Sequence, residues 1–189
     1  MPFRYTGSSF AFEAQVIAIV RKAQKADVKP LSELAKTTYA SAFGHSLNPS
    51  DLAAHLDNNL SDVCFEEFLE EDTILVAQHD GQLIGFIQIG VVWPETDDDD
   101  FSSEDAELRR VYVLAEFQGR GIGRQLIDAA FREARFATAR DIYLDVWEDN
   151  RRAQKLYESY GFRAIGKRAF EVESGAKTGF DLIMIRRAR

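Results

Sequence analysis

The chain has 189 residues, with 23 Lys and Arg against 31 Asp and Glu, a formal charge of −8. That length suits one domain with its own core, and 46% hydrophobic with 29% charged residues is a globular composition rather than a disordered one. The acidic balance argues against general phosphate-backbone binding, which needs surplus Lys and Arg, so no nucleic-acid partner is expected.

Residues 1–15 show no sustained period and read as an N-terminal extension; 16–189 read as one domain. Val16–Val20 is short and β-branched, which predicts a first strand running towards Lys22. Asp27 is placed to cap a helix with Pro30 in its first turn, and Leu31, Leu34, Ala35 and Thr38 follow at helical spacing up to Gly44. Asn48-Pro49-Ser50 opens a second helix with Leu52, Leu56 and Leu60 on one face. Ser61–Glu71 is an acidic amphipathic stretch. Thr73–Ala77 then reads as a strand, Asp80-Gly81 as a hairpin turn, and Gln82–Val92 as a strand buried on both faces. The segment 94–105 is a loop, because its clustered acids repel each other and offer no apolar face. Ala106–Leu114 is the next strand, and Gly121–Ala137 the next helix, with Ile122, Leu126, Ala130 and Ala134 every fourth residue. Ile142, Leu144 and Val146 alternate along a further strand. Asn150–Tyr160 is a short helix closed by Gly161. Phe162–Phe170 and Phe180–Arg187 are two final strands joined around Ser174-Gly175. The pattern is mixed α/β in a single domain, without the regular alternation of a doubly wound sheet.

One cysteine, Cys64, permits no intrachain disulfide and fits a reducing, cytoplasmic setting. Val16–Val20 is too short, and what precedes it too interrupted by Glu13 and Gln15, for a signal sequence. No run approaches the ~20 apolar residues of a membrane span, so no membrane partner is expected. His45, His55 and His79 lack metal-ligand spacing, so no metal is expected.

Gln118-Gly119-Arg120-Gly121-Ile122-Gly123-Arg124 follows a strand and opens a helix. There, backbone N–H groups and the helix dipole can hold an anion, glycines let backbone approach a phosphate, and Arg120 and Arg124 can add charge-assisted contacts. The turn lacks the Gly-Lys-Ser/Thr ending of a Walker loop. Arg124 stands where the dinucleotide fingerprint wants Gly or Ala, although Asp141 lies at that fingerprint's downstream spacing. A glycine-rich turn without any ligand is the remaining reading of the glycines alone.

Two stretches together are more specific. Val111-Tyr112-Val113 followed by Gln118–Gly123 resembles motif A of the Gcn5-related N-acetyltransferases, Gln/Arg-x-x-Gly-x-Gly/Ala after an apolar strand. Asn150-Arg151-Arg152-Ala153-Gln154-Lys155-Leu156-Tyr157-Glu158-Ser159-Tyr160-Gly161-Phe162 resembles the family's motif B, Asn-x-x-Ala-x-x-x-Tyr-x-x-x-Gly-Phe. The phrases Glu107–Val113 and Asp145–Asn150 are most similar to the PaiA-type subgroup, which acetylates polyamines. The resemblance implies a mostly antiparallel twisted sheet of about six to seven strands with about four helices. It also implies acetyl-CoA as cosubstrate, with its pyrophosphate on the motif A turn, and an association into homodimers. The cofactor contacts it implies are Val111, Tyr112, Val113, Gln118, Gly119, Arg120, Gly121, Ile122, Gly123, Arg124, Asn150 and Ala153.

Acyl transfer from a thioester to an amine needs a neutral amine, donors for the oxyanion and a proton for the leaving thiolate. The resemblance makes Tyr157 the acid; its residue-level alternative is simple packing beside Leu156 and Tyr160. Glu107, early in the catalytic strand, is the candidate base, with Glu104 and Asp105 as neighbours that spacing does not rank. Backbone N–H at Val111 or Val113 would serve the oxyanion, because the family carries a bulge in this strand. Segment 95–107 holds eight acids, among them Asp97–Asp100, which could attract a cationic amine or simply be solvated. The expected reaction is acetyl transfer to a small primary amine, a polyamine first, by direct attack in a ternary complex. A peptide or antibiotic amine, or a CoA-binding regulatory module without catalysis, are the alternatives.

Overall fold

The computed structural model describes residues 16–92, 101–171 and 177–187. The expected extension at 1–15, Trp93, the acids at 95–100 and the expected turn at Ser174-Gly175 lie outside the described residues.

The described chain runs β1 (Ile19–Lys22), α1 (Val28–Phe43), α2 (Pro49–Asn59), α3 (Asp62–Glu71), β2 (Thr73–His79), β3 (Gln82–Val91), β4 (Ala106–Val113), α4 (Ile122–Ala130), α5 (Ala134–Ala137), β5 (Asp141–Trp147), α6 (Arg151–Ser159), β6 (Arg163–Glu171) and β7 (Lys177–Arg187). Seven strands form one sheet in the order β1-β2-β3-β4-β5-β7-β6. Every neighbouring pair is antiparallel except β4 and β5, which are parallel.

Local chemistry explains most boundaries. Asn48 caps α2 by accepting from the Asp51 amide at 2.8 Å, and Ser61 caps α3 at the Cys64 amide. Asp80 and Gly81 both have left-handed backbone (φ 48° and 82°), the pairing a two-residue hairpin requires. Two expectations differ. Asp27 stands at the N-cap of α1, after a 3-10 turn (Lys25–Asp27), but its side chain makes no capping bond to α1 and instead closes a capping box on that turn. It is clamped by Arg21 at 2.7 and 2.9 Å and by the Gln24 amide at 2.8 Å. The helix expected over 121–137 breaks after Ala130. Residues 131 and 136 would lie on different sides of a straight helix, about 140° apart at 3.6 residues per turn. The break lets Phe131 and Phe136 meet at 5.6 Å, with Phe136 buried. This break, together with the acidic stretch forming a full helix, makes six α-helices among the described residues rather than about four.

Helices cover both sheet faces. α4, α5 and α6 pack on one through Ile122, Leu126, Ile127, Phe136 and Tyr157; α1 and α3 pack on the other through Leu31, Leu34, Tyr39 and Phe65. Phe65 is wholly buried, with the Phe68 and Phe86 rings each 5.6 Å away. Truncating it to Ala would cost about 3–5 kcal/mol.

Candidate active site

The site begins where β4 leaves β5. Their parallel pairing is registered at only two positions, Ala106 with Ile142 and Glu107 with Tyr143. Beyond these the strands part. β4 also carries a bulge: Gln88 pairs with Arg110 and Ile89 with Leu108, so Arg109 is the extra residue. The bulge expected from the resemblance therefore lies just before Val111.

Each diverging strand feeds a helix, and a cavity of about 410 Å3 lies between them. Val111 and Val113 of β4 form one wall. The turn at Gln118, Gly119, Gly121, Ile122, Gly123 and Arg124 forms another. Asn150, Arg152, Ala153, Lys155, Leu156 and Tyr157 close it from α6. That volume falls within the range of about 300–1,000 Å3 usual for small-ligand sites.

The turn's geometry suits an anion. Gly119 and Gly121 both adopt left-handed backbone, φ 85° and 86°, which side chains rarely accept. Gly121 occupies the cap position of α4, where no side chain takes up the first amides. Those amides and the helix dipole are therefore available to a phosphate group. At Gly119 a Cβ would come 3.0 Å from Arg152 Nη2, so the turn and α6 approach closely. These residues fit a pyrophosphate, and three cationic side chains, Arg124, Arg152 and Lys155, line the same cavity. In a chain of net charge −8, this is a local reversal of sign.

α6 is held rigidly against the sheet. Asn150 caps it by accepting from the Ala153 amide at 3.1 Å, so its cap role is met whatever it touches in the cavity. Gln154 donates to the carbonyls of Trp147 and Glu148 at 3.0 and 2.9 Å, fixing the link from β5. Tyr160 donates to Asp128 at 2.7 Å, tying α6 to α4; burial first, then this hydrogen bond, push its phenol up to about 12. Tyr157 is buried at the cavity wall. Desolvation, with the Tyr112 phenol as the smaller cause, raises its pKa well above the ordinary phenol value.

Not every expected contact lies at the cavity. Tyr112 points to the opposite face, where its ring meets Phe86 at 5.3 Å. Arg120 does not line the cavity; its guanidinium lies 5.9 Å from the Phe117 ring. Glu107 is half-buried outside this cavity, 3.9 Å from Arg109. Asp105 is wholly buried and gripped by Arg140 at 3.0 and 2.8 Å and by the Ser102 amide, which makes it a structural clasp. Glu104 is exposed. Conversely, Arg152, Lys155, Leu156 and Phe117 line the cavity without having been expected there. Arg152, Lys155 and Leu156 share a face of α6 by their i, i+3, i+4 spacing, which the sequence alone could have revealed; Tyr157 lies about 100° or more round the helix from each of them, and only the fold brings all four to one cavity.

Among the described residues no group of three or more His, Cys, Asp and Glu is placed to hold a metal, and no helix is long and apolar enough to cross a membrane.

Residues 32–162 match the model of the Acetyltransferase (GNAT) family. This chain belongs to that family. An uncharacterized N-acetyltransferase of Mycobacterium tuberculosis is 31% identical over 162 residues, spanning 85% of this chain and 97% of the relative. The spermine/spermidine N(1)-acetyltransferase of Bacillus subtilis is 31% identical over 96 residues, 50% of this chain and 62% of that one. The PaiA N-acetyltransferase of Thermoplasma acidophilum, solved with coenzyme A, superposes with a TM-score of 0.69 at 18% identity, over 92% of this chain and 100% of that one. At that identity the likeness is one of fold. As a GNAT protein the chain is an acetyl-CoA-dependent N-acetyltransferase, with acetyl-CoA as its cosubstrate.

Proposed function

We propose that this GNAT enzyme acetylates a primary amine of a polyamine, by direct attack while both substrates are bound. The observation that carries this reading is the cavity joining the Gly119–Gly123 turn to Tyr157 at the point where β4 and β5 part. The spermine/spermidine relative and the acids of segment 95–107 favour a polycationic acceptor.

The residues then divide the work as follows. First-turn amides of α4, with Arg124, Arg152 and Lys155, hold the anionic part of the donor. Acetyl-CoA supplies the activated acetyl thioester. Val111, just past the bulge, offers backbone N–H near the gap to the carbonyl oxygen. The amine arrives from the α1–α3 face, because the donor occupies the other. Its ammonium form has a pKa near 10.4, so a proton must leave before attack; Glu107 accepts it, directly or through water. Tyr157 keeps its proton at neutral pH because burial disfavours the phenolate. The same desolvation disfavours the departing thiolate, whose pKa in water is near 8.5; as the C–N bond forms and the thioester C–S bond breaks, the phenol proton passes to sulfur, and the second proton shed by the acylated nitrogen restores the phenol. Cys64 as a lone thiol fits a reducing compartment, and we place the reaction in the cytoplasm.

The test is release of free CoA from acetyl-CoA with spermidine, spermine, amino acids, aminoglycosides and N-terminal peptides. The proposal expects the highest kcat/KM with spermidine or spermine, with KM rising with salt. A peptide or aminoglycoside preferred by tenfold or more would replace the polyamine.

A further inference from the structure

A buried polar knot sits on the α1–α3 face of the sheet, behind the donor cavity. Asp72 joins α3 to β2, Gln88 lies in β3, and Arg109 and Arg110 are consecutive in β4. Arg109 Nε lies 3.0 Å from Asp72, with side chains only 3% and 2% exposed. Gln88, wholly buried, donates to Asp72 at 2.6 Å and accepts from Arg110 at 2.6 Å. Arg109 also donates to the carbonyl of Val91, the last residue of β3, at 2.7 Å. Arg110 lies 4.8 Å from the Phe68 ring of α3. Gly90 makes the room: a Cβ there would overlap both the Asp72 carboxylate and the Arg109 guanidinium.

Two neighbouring residues of a strand normally face opposite ways. These two reach the same knot because Arg109 is the bulged residue. The bulge also changes the phase of β4. Before it, Ala106 and Leu108 face the α4 layer; after it, Val111 and Val113 do. Without the extra residue, Val111 and Val113 would turn away from the donor cavity and Tyr112 would turn into it.

The knot is costly. Burial pushes the Asp72 carboxyl up and Arg109 down, opposed in part by the Gln88 hydrogen bond and by each other's charge. A buried pair of this kind adds little net stability over well-packed apolar residues, but it admits few alternative arrangements. We propose that the Asp72–Arg109 pair, braced by Gln88 and Arg110, is a positioning device that holds β4 out of register so that Val111 and Val113 face the acetyl donor. These are positioning residues, since they act through β4 and not on substrate.

The inference rests on the acetyl-transfer reading, and its test keeps the two apart. Wild-type enzyme that releases no CoA with any amine would remove the reading before a variant is made. With an active wild type, the apolar double variant Asp72→Leu/Arg109→Met removes both charges together and should fold. Its expected result is a kcat about thirtyfold lower, with the calorimetric Kd for acetyl-CoA within about threefold, because the phosphate turn does not touch the pair. Arg109→Lys keeps the charge but not the fork that reaches both Asp72 and the Val91 carbonyl, so its kcat should fall between that of the double variant and that of wild type. A folded double variant with wild-type kcat would overturn the proposal. If the double variant does not fold, Gln88→Leu decides: the bracing role predicts kcat lowered about threefold or more at unchanged acetyl-CoA Kd, and an unchanged kcat overturns it.

Discussion

On the α4–α6 face of β4, the cavity we assign to the donor is lined in part by backbone and small residues, Gly119, Gly121, Gly123 and Ala153, with valines from the strand. On the α1–α3 face, the same strand carries Glu107, Arg109 and Arg110, and its arginines meet Asp72 and Gln88. One face is shaped to let a charged ligand approach main chain. The other spends side-chain charge on holding the strand in place. Charge on either side of β4 therefore does two different jobs: Arg124, Arg152 and Lys155 face a cavity, whereas Arg109 and Arg110 are tied within the protein.

The largest expected effect breaks this contrast at the turn. Gly121→Val forces a β-branched residue to φ 86° at the start of α4. We expect acetyl-CoA affinity to fall about a hundredfold or more by calorimetry. Gly81→Val imposes similar strain at φ 82° in the β2–β3 hairpin, with nothing within 4 Å. It should lower thermal stability while leaving that affinity unchanged, and an equal loss at both positions would mean the Gly121 effect is only strain.

A smaller effect sharpens the account of paired charge. Asp27 and Arg21 are more exposed than Asp72 and Arg109, and their pair behaves in the opposite sense. The Arg21 hydrogen bond holds the Asp27 carboxyl below its ordinary value, whereas burial holds Asp72 above it. A depressed carboxylate contributes stability above its unfolded pKa, near 3.9, and loses it as pH falls through the folded value. Asp27→Asn should therefore lower Tm at pH 7 by about 2–6 °C, with the difference shrinking towards zero as the pH is taken below 3. A difference that persists undiminished in acid would show that packing, not charge, is what Asp27 supplies.

How far the sequence revealed these two faces follows from the range of the interactions. Caps and turns are local, so Asn48, Ser61, Asp80-Gly81 and Asn150 mark their elements directly. The cavity is nearly as legible, because its turn and α6 are each a contiguous stretch that carries a motif. The break after Ala130 was hidden, since it is set by rings that meet only in the fold, Phe131 with Phe136 and Tyr160. Asp27 misled for a similar reason: it has a capping residue's identity and position, but its carboxylate is taken by Arg21 of β1 and by the Gln24 amide of the preceding turn rather than by α1. The knot could not be read at all. Asp72, Gln88 and Arg109 are brought together by the β2–β3–β4 register, and Gly90 reveals its purpose only beside them. Asp105 is another case, chemically suited to be a base yet taken by Arg140.

We place the chemistry at Tyr157, in the wall of the cavity beside the gap between β4 and β5. Tyr157→Phe removes one oxygen from a buried wall and leaves the phosphate turn untouched. Steady-state kinetics of CoA release, paired with calorimetry of acetyl-CoA binding, should show kcat lowered about 10- to 100-fold with Kd within about twofold of wild type. A variant that turns over at the wild-type rate would contradict the assignment and return Tyr157 to a packing role.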